Sequence, residues 1–400
     1  MISTNIALKH LLKLSEVKNT EVVPLEECSN RVLANNLIAS HNQPPFDCSA
    51  MDGYALNIDD KIAGYVLRII GESAAGKNYA GMVKSGETVR IFTGAPMPLG
   101  TNCVVIQEDI IQKNKNIILK ETVEKSHFVR TKGLDFLQGY TVRAPLLIKP
   151  SMVSLIAAMN FDKVEVYQKP KIAILATGSE LVPPGKKVPP NKIVSSNTYG
   201  LAAMLESFGA TPHIFPIAKD SIKDISQAIE SAKKFDLTLT IGGASVGDYD
   251  LVIKSAEVHK IKLAFHGVAM KPGKPLFAGT INERLIIGLP GNPVSALVCC
   301  QIMVKPVIQK MLGLRVTFPS LKIFAQLGTA LSANGKREHY LRATLRQESG
   351  LNIVDPIQNQ DSSLLTQLRN SNSLIKRVPF APEAAAGEIV EVLPFFTEFS

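Results

Sequence analysis

The sequence contains no tryptophan, only 6% aromatic residues and no Lys/Arg-rich run, although its formal net charge is +9. Stacking platforms and basic tracts mark nucleic-acid binders, so their scarcity argues against a nucleic-acid partner. Five cysteines stand at 28, 48, 103, 299 and 300, without C-x-x-C spacing. That excludes a disulfide framework and a structural zinc site. It leads us to expect a reduced, cytoplasmic protein in which Cys299 and Cys300 are core packing. No uninterrupted apolar run reaches the ~18 residues that cross a bilayer. The opening MISTNIALKHLLKLSE has an amphipathic pattern and no small-residue cleavage site, so neither membrane nor export is expected. There is no H-x-x-x-H, no G-x-x-x-x-G-K-[ST] and no repeat at a 20–50-residue period.

What is present is patterned. Four hundred residues imply two to four domains at roughly 100–200 residues each. Residues 5 to 18 read as a helix. Residues 44 to 140 carry short β-like runs (YVLRII, ETVRIFTG, NCVVIQE, NIILKETV) parted by Gly, Pro and Asn, which suggests a small barrel or sandwich. A second helix, SMVSLIAAMNF, is expected after Pro150 with Ser151 as its cap, packed against the first. From 170, strands and helices alternate, which predicts an α/β unit with a mainly parallel sheet. Asp220 is the expected cap of SIKDISQAIESAKKF, and PVSALVCCQIMVKPVIQKMLG the closing helix. After about 317 the signals are again β, as in LKIFAQL and REHYLRATL. The charge excess is local: residues 170 to 316 hold 17 basic against 10 acidic residues, which an anionic small-molecule ligand would account for.

Within that basic unit every Gly-rich motif follows a strand, where α/β sheets bind ligands. ATGSEL turns Thr177, Gly178 and Ser179 outward and adds the Glu180 carboxylate; an ordinary strand-to-loop turn is the alternative. LTLTIGGASVGDYD offers Gly242, Gly243 and Ser245 to a phosphate, followed by Asp248 and Asp250. Asp248 reads as a helix cap, which leaves Asp250 without a structural need. Those acids and a phosphate repel unless a cation lies between them. MKPGKP holds Lys271 and Lys274 on a proline-stiffened turn suited to an oxyanion, or simply solvated. LPGNPVSAL runs through Pro290 and Asn292 into a helix with Pro293 near its start and Ser295 in its first turn, where free amides face an anion. Outside this unit, Asp47 and Asp52 flank a small-residue loop in PPFDCSAMDGYAL, and Thr93 lies in the turn-rich IFTGAPMPLGTN.

Together, PPFDCSAMDGYAL, GESAAG, IFTGAPMP, ATGSEL, SSNTYGLAAML, GGASVGDYD, KPGKP, LPGNPVSAL and GKREHYLRATL closely resemble the molybdopterin molybdenumtransferases, the insertases of molybdenum cofactor synthesis. The resemblance implies insertion of molybdenum from molybdate into adenylylated molybdopterin, with release of AMP and help from a divalent cation, usually Mg²⁺. It implies functional roles for Asp52, Thr93, Asp135, Glu180 and Asp250, with Glu180 and Asp250 toward the metal. It assigns Lys271, Lys274 and Ser295 to oxyanion or molybdate handling. Ser196 and Asn197, with the loops holding Thr177, Gly178, Ser179, Gly242, Gly243, Ser245, Pro290, Asn292 and Pro293, fall to pterin and phosphate binding.

The architecture implied has four parts: an elongated linker and dimerisation domain (1–28 and 141–169), an inserted β-rich domain (29–140), a three-layer α/β molybdopterin-binding domain (170–316) and a small C-terminal β-barrel (317–400). A homodimer sharing its cleft between subunits is implied, as are molybdopterin adenylyltransferase and apo-molybdoenzymes as partners. Leu134 stands where the family often has Glu, and Ala244 where Val or Thr is usual. A gephyrin-like scaffold and a molybdopterin adenylyltransferase are the alternative functions.

Overall fold

The computed structural model describes residues 1–57, 63–122, 127–242, 251–316 and 323–395. Ser3 caps the first helix, Thr4–Leu14, by accepting the Ile6 amide at 3.4 Å. The apolar stripe Ala7, Leu8 and Leu11 is buried in the same core as the α/β unit. The helix at 150 lies elsewhere. Pro150 occupies its first turn and Lys149, not Ser151, its cap position. Its Ile156 packs with Leu33, Leu37, Ile148 and Val166 in a separate core, so the two helices do not form the expected pair.

That second core belongs to a four-stranded sheet in the order Thr20–Pro24, Lys163–Tyr167, Val32–Leu33, Leu146–Leu147. Leu37–Ile38 pairs with Thr141–Val142 beside it. Residues 32 to 38 therefore pair with the linker strands rather than with the inserted unit expected to begin at 29. The insertion proper is a six-stranded sheet, ordered Cys103–Ile106, Gly53–Leu56, Glu87–Ile91, Val66–Ser73, Asn116–Leu119, Ile110–Lys113. Tyr54, Leu56, Leu67, Val105 and Ile117 fill its core.

The α/β sheet runs Thr211–Ile214, Lys171–Ala176, Leu237–Ile241, Arg284–Leu289, Phe277–Ile281, Lys262–His266. The first four strands are parallel, and the last two join antiparallel. The Leu237–Ile241 strand is buried at every position, as a central strand covered on both faces must be. Asp220 does not cap the following helix; Ser221 does, accepting the Asp224 amide at 3.0 Å.

The closing helix is not uniform. Pro293–Cys299 and Lys305–Met311 are α-helical, and Cys300–Val304 between them is π-helical. Pro306 lacks the N–H that would continue the ladder, and its ring crowds the preceding turn, so the wider turn relieves both. By length and composition Pro293–Met311 could span a membrane, although no uninterrupted apolar run does so. Here 78% of its apolar window is buried in the protein, as a core helix. Cys299 and Cys300 are fully buried within it, and burial pushes both thiols up.

The C-terminal unit is a closed five-stranded barrel. Glu338–Glu348, Leu351–Pro356, Ile323–Leu327, Ile389–Pro394 and Ser373–Arg377 pair in that order, and the last strand returns to the first. Met270–Lys271 of the α/β unit adds to the barrel in parallel beside Glu338 and His339.

Truncating fully buried Leu11 leaves a cavity between the first helix and the α/β core. Leu11→Ala should therefore lower stability by about 2–5 kcal/mol, read as a reduced denaturant midpoint.

Candidate functional site

Three motif loops meet because their strands are neighbours in register. Ala176 lies across from Ile241, and Ile241 across from Leu289. The residues that follow are Thr177, Gly242 and Pro290, so ATGSEL, the GG loop and LPGNP leave the sheet side by side. The spacing is tight. Gly242 adopts φ +88, and a side chain there would meet the Thr177 carbonyl oxygen at 2.8 Å. The Thr177 amide donates to Ile241 O at 3.0 Å, and Asn197 Nδ2 crosses to Gly291 O at 2.7 Å. Thus Thr177, Asn197, Gly242 and the LPGNP loop are brought together. Ser196 precedes the Asn197–Ser207 helix at its cap position. Gly243, Ser245, Asp248 and Asp250 lie outside the described residues.

Glu180 folds its carboxylate back over Gly178, at the exposed rim of this loop cluster. Ser179 is locked to the next loop: its amide donates to Asp220 Oδ2 at 2.6 Å, and its hydroxyl accepts the Asp220 amide at 3.1 Å. Lys192 closes the same turn from outside, donating to Ser179 O. At LPGNP the expectation of free first-turn amides needs correcting. The Val294 amide donates to Ser362 O at 3.0 Å, and Asn292 Nδ2 to Ser362 Oγ at 2.7 Å, both in the C-terminal barrel unit. Ser295 is buried in that first turn.

The barrel also supplies basic groups that the motif reading left unassigned. Lys271 is paired with His339 across adjacent strands, and His339 with Arg377 on its other side. Arg337 reaches back to Met270 O at 3.4 Å. Arg342 is 2% exposed, donating to Gln360 Oε1 at 3.3 Å and Asn359 O at 3.2 Å, while its Nη1 has no partner among the described residues. A buried guanidinium with an unused donor is costly, and an anion would satisfy it. Burial lowers the Arg342 pKa, against the pull of Asp361. His339 is pushed down to about 4, first by burial and then by the charges of Lys271, Arg337 and Arg342. The basic content of GKREHYLRATL was the available signal; only the fold sets it beside KPGKP. Lys271 and Lys274 are both exposed on that turn.

A second group lies in the inserted sheet. Asp52 accepts the Thr93 amide and the Thr93 hydroxyl, each at 2.8 Å. Those two bonds, with Arg90 nearby, hold its carboxyl below the usual range. Asp135 sits on the neighbouring loop, where its amide donates to Gln43 O at 2.9 Å and Asp47 Oδ1 accepts the Lys132 amide at 2.7 Å. Among the described residues, no hydrogen bond or ion pair joins Asp52, Thr93 or Asp135 to the Glu180–Asn197–LPGNP group within one chain.

No group of three His, Cys, Asp or Glu side chains gathers to hold a metal among the described residues. Mg²⁺ needs only one or two carboxylates when substrate phosphates complete its shell. The exposed Glu180 carboxylate beside the phosphate-type loops fits that mode.

Three family models cover most of the chain. Residues 2–160 match the MoeA N-terminal region (domains I and II), residues 173–310 a probable molybdopterin binding domain, and residues 325–395 the MoeA C-terminal region (domain IV). The molybdopterin molybdenumtransferase of Nostoc sp. is 34% identical over 359 residues, covering 87% of this chain and 82% of that protein. That of Haemophilus influenzae is 31% identical, covering 97% and 96%. A crystal structure of the molybdopterin biosynthesis MoeA protein from Pyrococcus horikoshii superposes with a TM-score of 0.83 at 28% identity, covering 99% of this chain and 100% of that one. The chain belongs to the molybdopterin molybdenumtransferase family. It is a transferase of molybdenum cofactor biosynthesis, and the family expectation drawn from its motifs holds.

Because His339 is neutral when folded and ordinary when unfolded, the unfolded chain binds more protons between about pH 4 and about 6.5. Its contribution to stability is intact above that window and declines as pH falls through it. Denaturation measured across this range should show that decline, and His339→Gln should flatten it.

Proposed function

We propose that this chain inserts molybdenum from molybdate into adenylylated molybdopterin and releases AMP. The observation that carries the reading is the convergence of the ATGSEL, GG and LPGNP loops beside a basic cluster whose buried Arg342 Nη1 has no partner among the described residues. Molybdate and a bridging phosphate are both anions and repel in water. Fixed lysines and a buried guanidinium offset that repulsion. In this reading Thr177, Gly178, Ser179, Ser196, Asn197, Gly242, Gly243, Ser245, Pro290, Asn292 and Pro293 cradle the pterin and its phosphates. Lys271, Lys274, Ser295 and Arg342 receive the oxyanion.

Glu180 and Asp250 would hold Mg²⁺, which would supply a positive centre for charge on the leaving phosphate. Asp52 stays ionised at neutral pH and orients the Thr93 hydroxyl, with Asp135 on the adjoining loop. Asp52 and Thr93 belong to a different sheet from the loop cluster. A homodimer in which one subunit's inserted domain faces the other's α/β unit would unite them. The dimer, the cytoplasmic setting, and hand-over from an adenylyltransferase to apo-molybdoenzymes belong to the same proposal.

Purified protein incubated with adenylylated molybdopterin and Mg²⁺ should release AMP only when molybdate is added. Molybdate-independent release, or none, would overturn the reading. Lys271→Ala and Lys274→Ala should each raise the molybdate concentration for half-maximal rate about tenfold to a hundredfold, the loss of one charge-assisted bond of about 1.5–3 kcal/mol. Asp250→Ala should impair Mg²⁺-dependent turnover while leaving the unfolding midpoint near that of the parent; an unchanged rate with normal Mg²⁺ dependence would refute its role.

A further inference from the structure

The Asp52–Thr93 pair is flanked by a cation that no motif singles out. Arg90 lies in the Glu87–Ile91 strand directly opposite Tyr54. Its guanidinium sits 4.9 Å from the centre of the Tyr54 ring and 5.2 Å from that of Phe92. One nitrogen donates to Gly53 O at 3.3 Å, and the other to Gln107 Oε1 at 3.0 Å. Gly53 follows Asp52 and Phe92 precedes Thr93. A single planar cation therefore grips the neighbour of each member of the pair.

The grip is itself anchored. The Tyr54 hydroxyl donates to Gln112 Oε1 at 3.0 Å, which fixes the ring beneath the guanidinium. Gly53 lies so close to the facing strand that a Cβ would stand 2.1 Å from Val105 O. The strand end carrying Asp52 is thus held on one side by backbone and on the other by Arg90. Asp52 and Thr93 are both exposed, so no packing of their own keeps them in place.

We propose that Arg90 is a positioning residue that sets the Asp52–Thr93 geometry by clamping Gly53, Tyr54 and Phe92. The proposal rests on the reading that Asp52 and Thr93 serve the transfer reaction. Charge alone does not provide the clamp. A lysine ammonium has no plane to lie against two rings and no fork to reach two oxygens in fixed directions. Arg90→Lys should therefore behave like Arg90→Gln rather than like the parent.

The test compares Arg90→Lys, Arg90→Gln and Gln107→Ala, each checked for folding by thermal unfolding. Two quantities are read: the Asp52 carboxyl titration by ¹³C NMR, and kcat and KM for adenylylated molybdopterin. Loosened Thr93 bonds should let the Asp52 pKa rise in both Arg90 variants. The rate constant kcat should fall about tenfold to a hundredfold, with KM changed far less, as for a misplaced catalytic group. Gln107→Ala, which removes only the outer anchor, should move both quantities in the same direction by less. It carries the test if the Arg90 variants do not fold. A parental Asp52 titration and kcat in the folded variants would overturn the proposal, as would full rescue by Arg90→Lys. If Asp52→Ala turns over normally, the role of the pair fails instead; the Asp52 titration still decides whether Arg90 holds it.

Discussion

The hydrogen-bonded register of three parallel strands, Lys171–Ala176, Leu237–Ile241 and Arg284–Leu289, is the constraint on which the loop cluster depends. Parallel neighbours end at the same edge, so each must shed its chain into a loop at the same level. The backbone cannot spread there without breaking the ladder. That is why Gly242 comes within contact distance of Thr177, and why Asn197 reaches Gly291 in one hydrogen bond. The crowding uses up these donors: the Thr177, Gly178 and Gly242 amides go to Ile241 O, Ala218 O and Leu289 O, and the Ser179 amide to Asp220.

The C-terminal barrel completes this edge rather than merely following it in sequence. Ser362 takes up both the Val294 amide and the Asn292 side chain, and Met270–Lys271 extends the barrel as a short parallel strand. The barrel's basic residues are consequently anchored to the loops from two directions. Arg342 bears the cost: it is buried with one nitrogen unpaired among the described residues, a state that an anionic ligand would relieve. The helix beneath is distorted where Pro306 interrupts it, yet it stays buried because its apolar residues line the α/β core.

Local signals carried far. Strand and helix positions from 170 onward, the mainly parallel sheet and the β nature of the last unit follow from periodicity and turn residues, which are short-range properties. The errors are local competitions decided by distant partners. Asp220 was the plausible cap, but Ser221 has that geometry while Asp220 holds Ser179 on another loop. The first helix looked like a partner for the helix at 150, but its apolar stripe found the α/β core.

By itself, the sequence determined which chemistry the chain can perform: glycine loops after strands, paired lysines between prolines, and acids spaced among them are written in residue order. Which residues share a site was decided by the tertiary structure. Strand register set Thr177, Gly242 and LPGNP together, and barrel closure brought His339 and Arg342 toward Lys271. The packing of one sheet placed Arg90 between Tyr54 and Phe92. Apart from Arg90 and Phe92 on one strand, these proximities join residues distant in the chain, such as Tyr54 with Arg90, Lys271 with His339 and Thr177 with Pro290, and they arise only when whole sheets close. Short-range pattern cannot encode them, because the energy that fixes them is shared across the core.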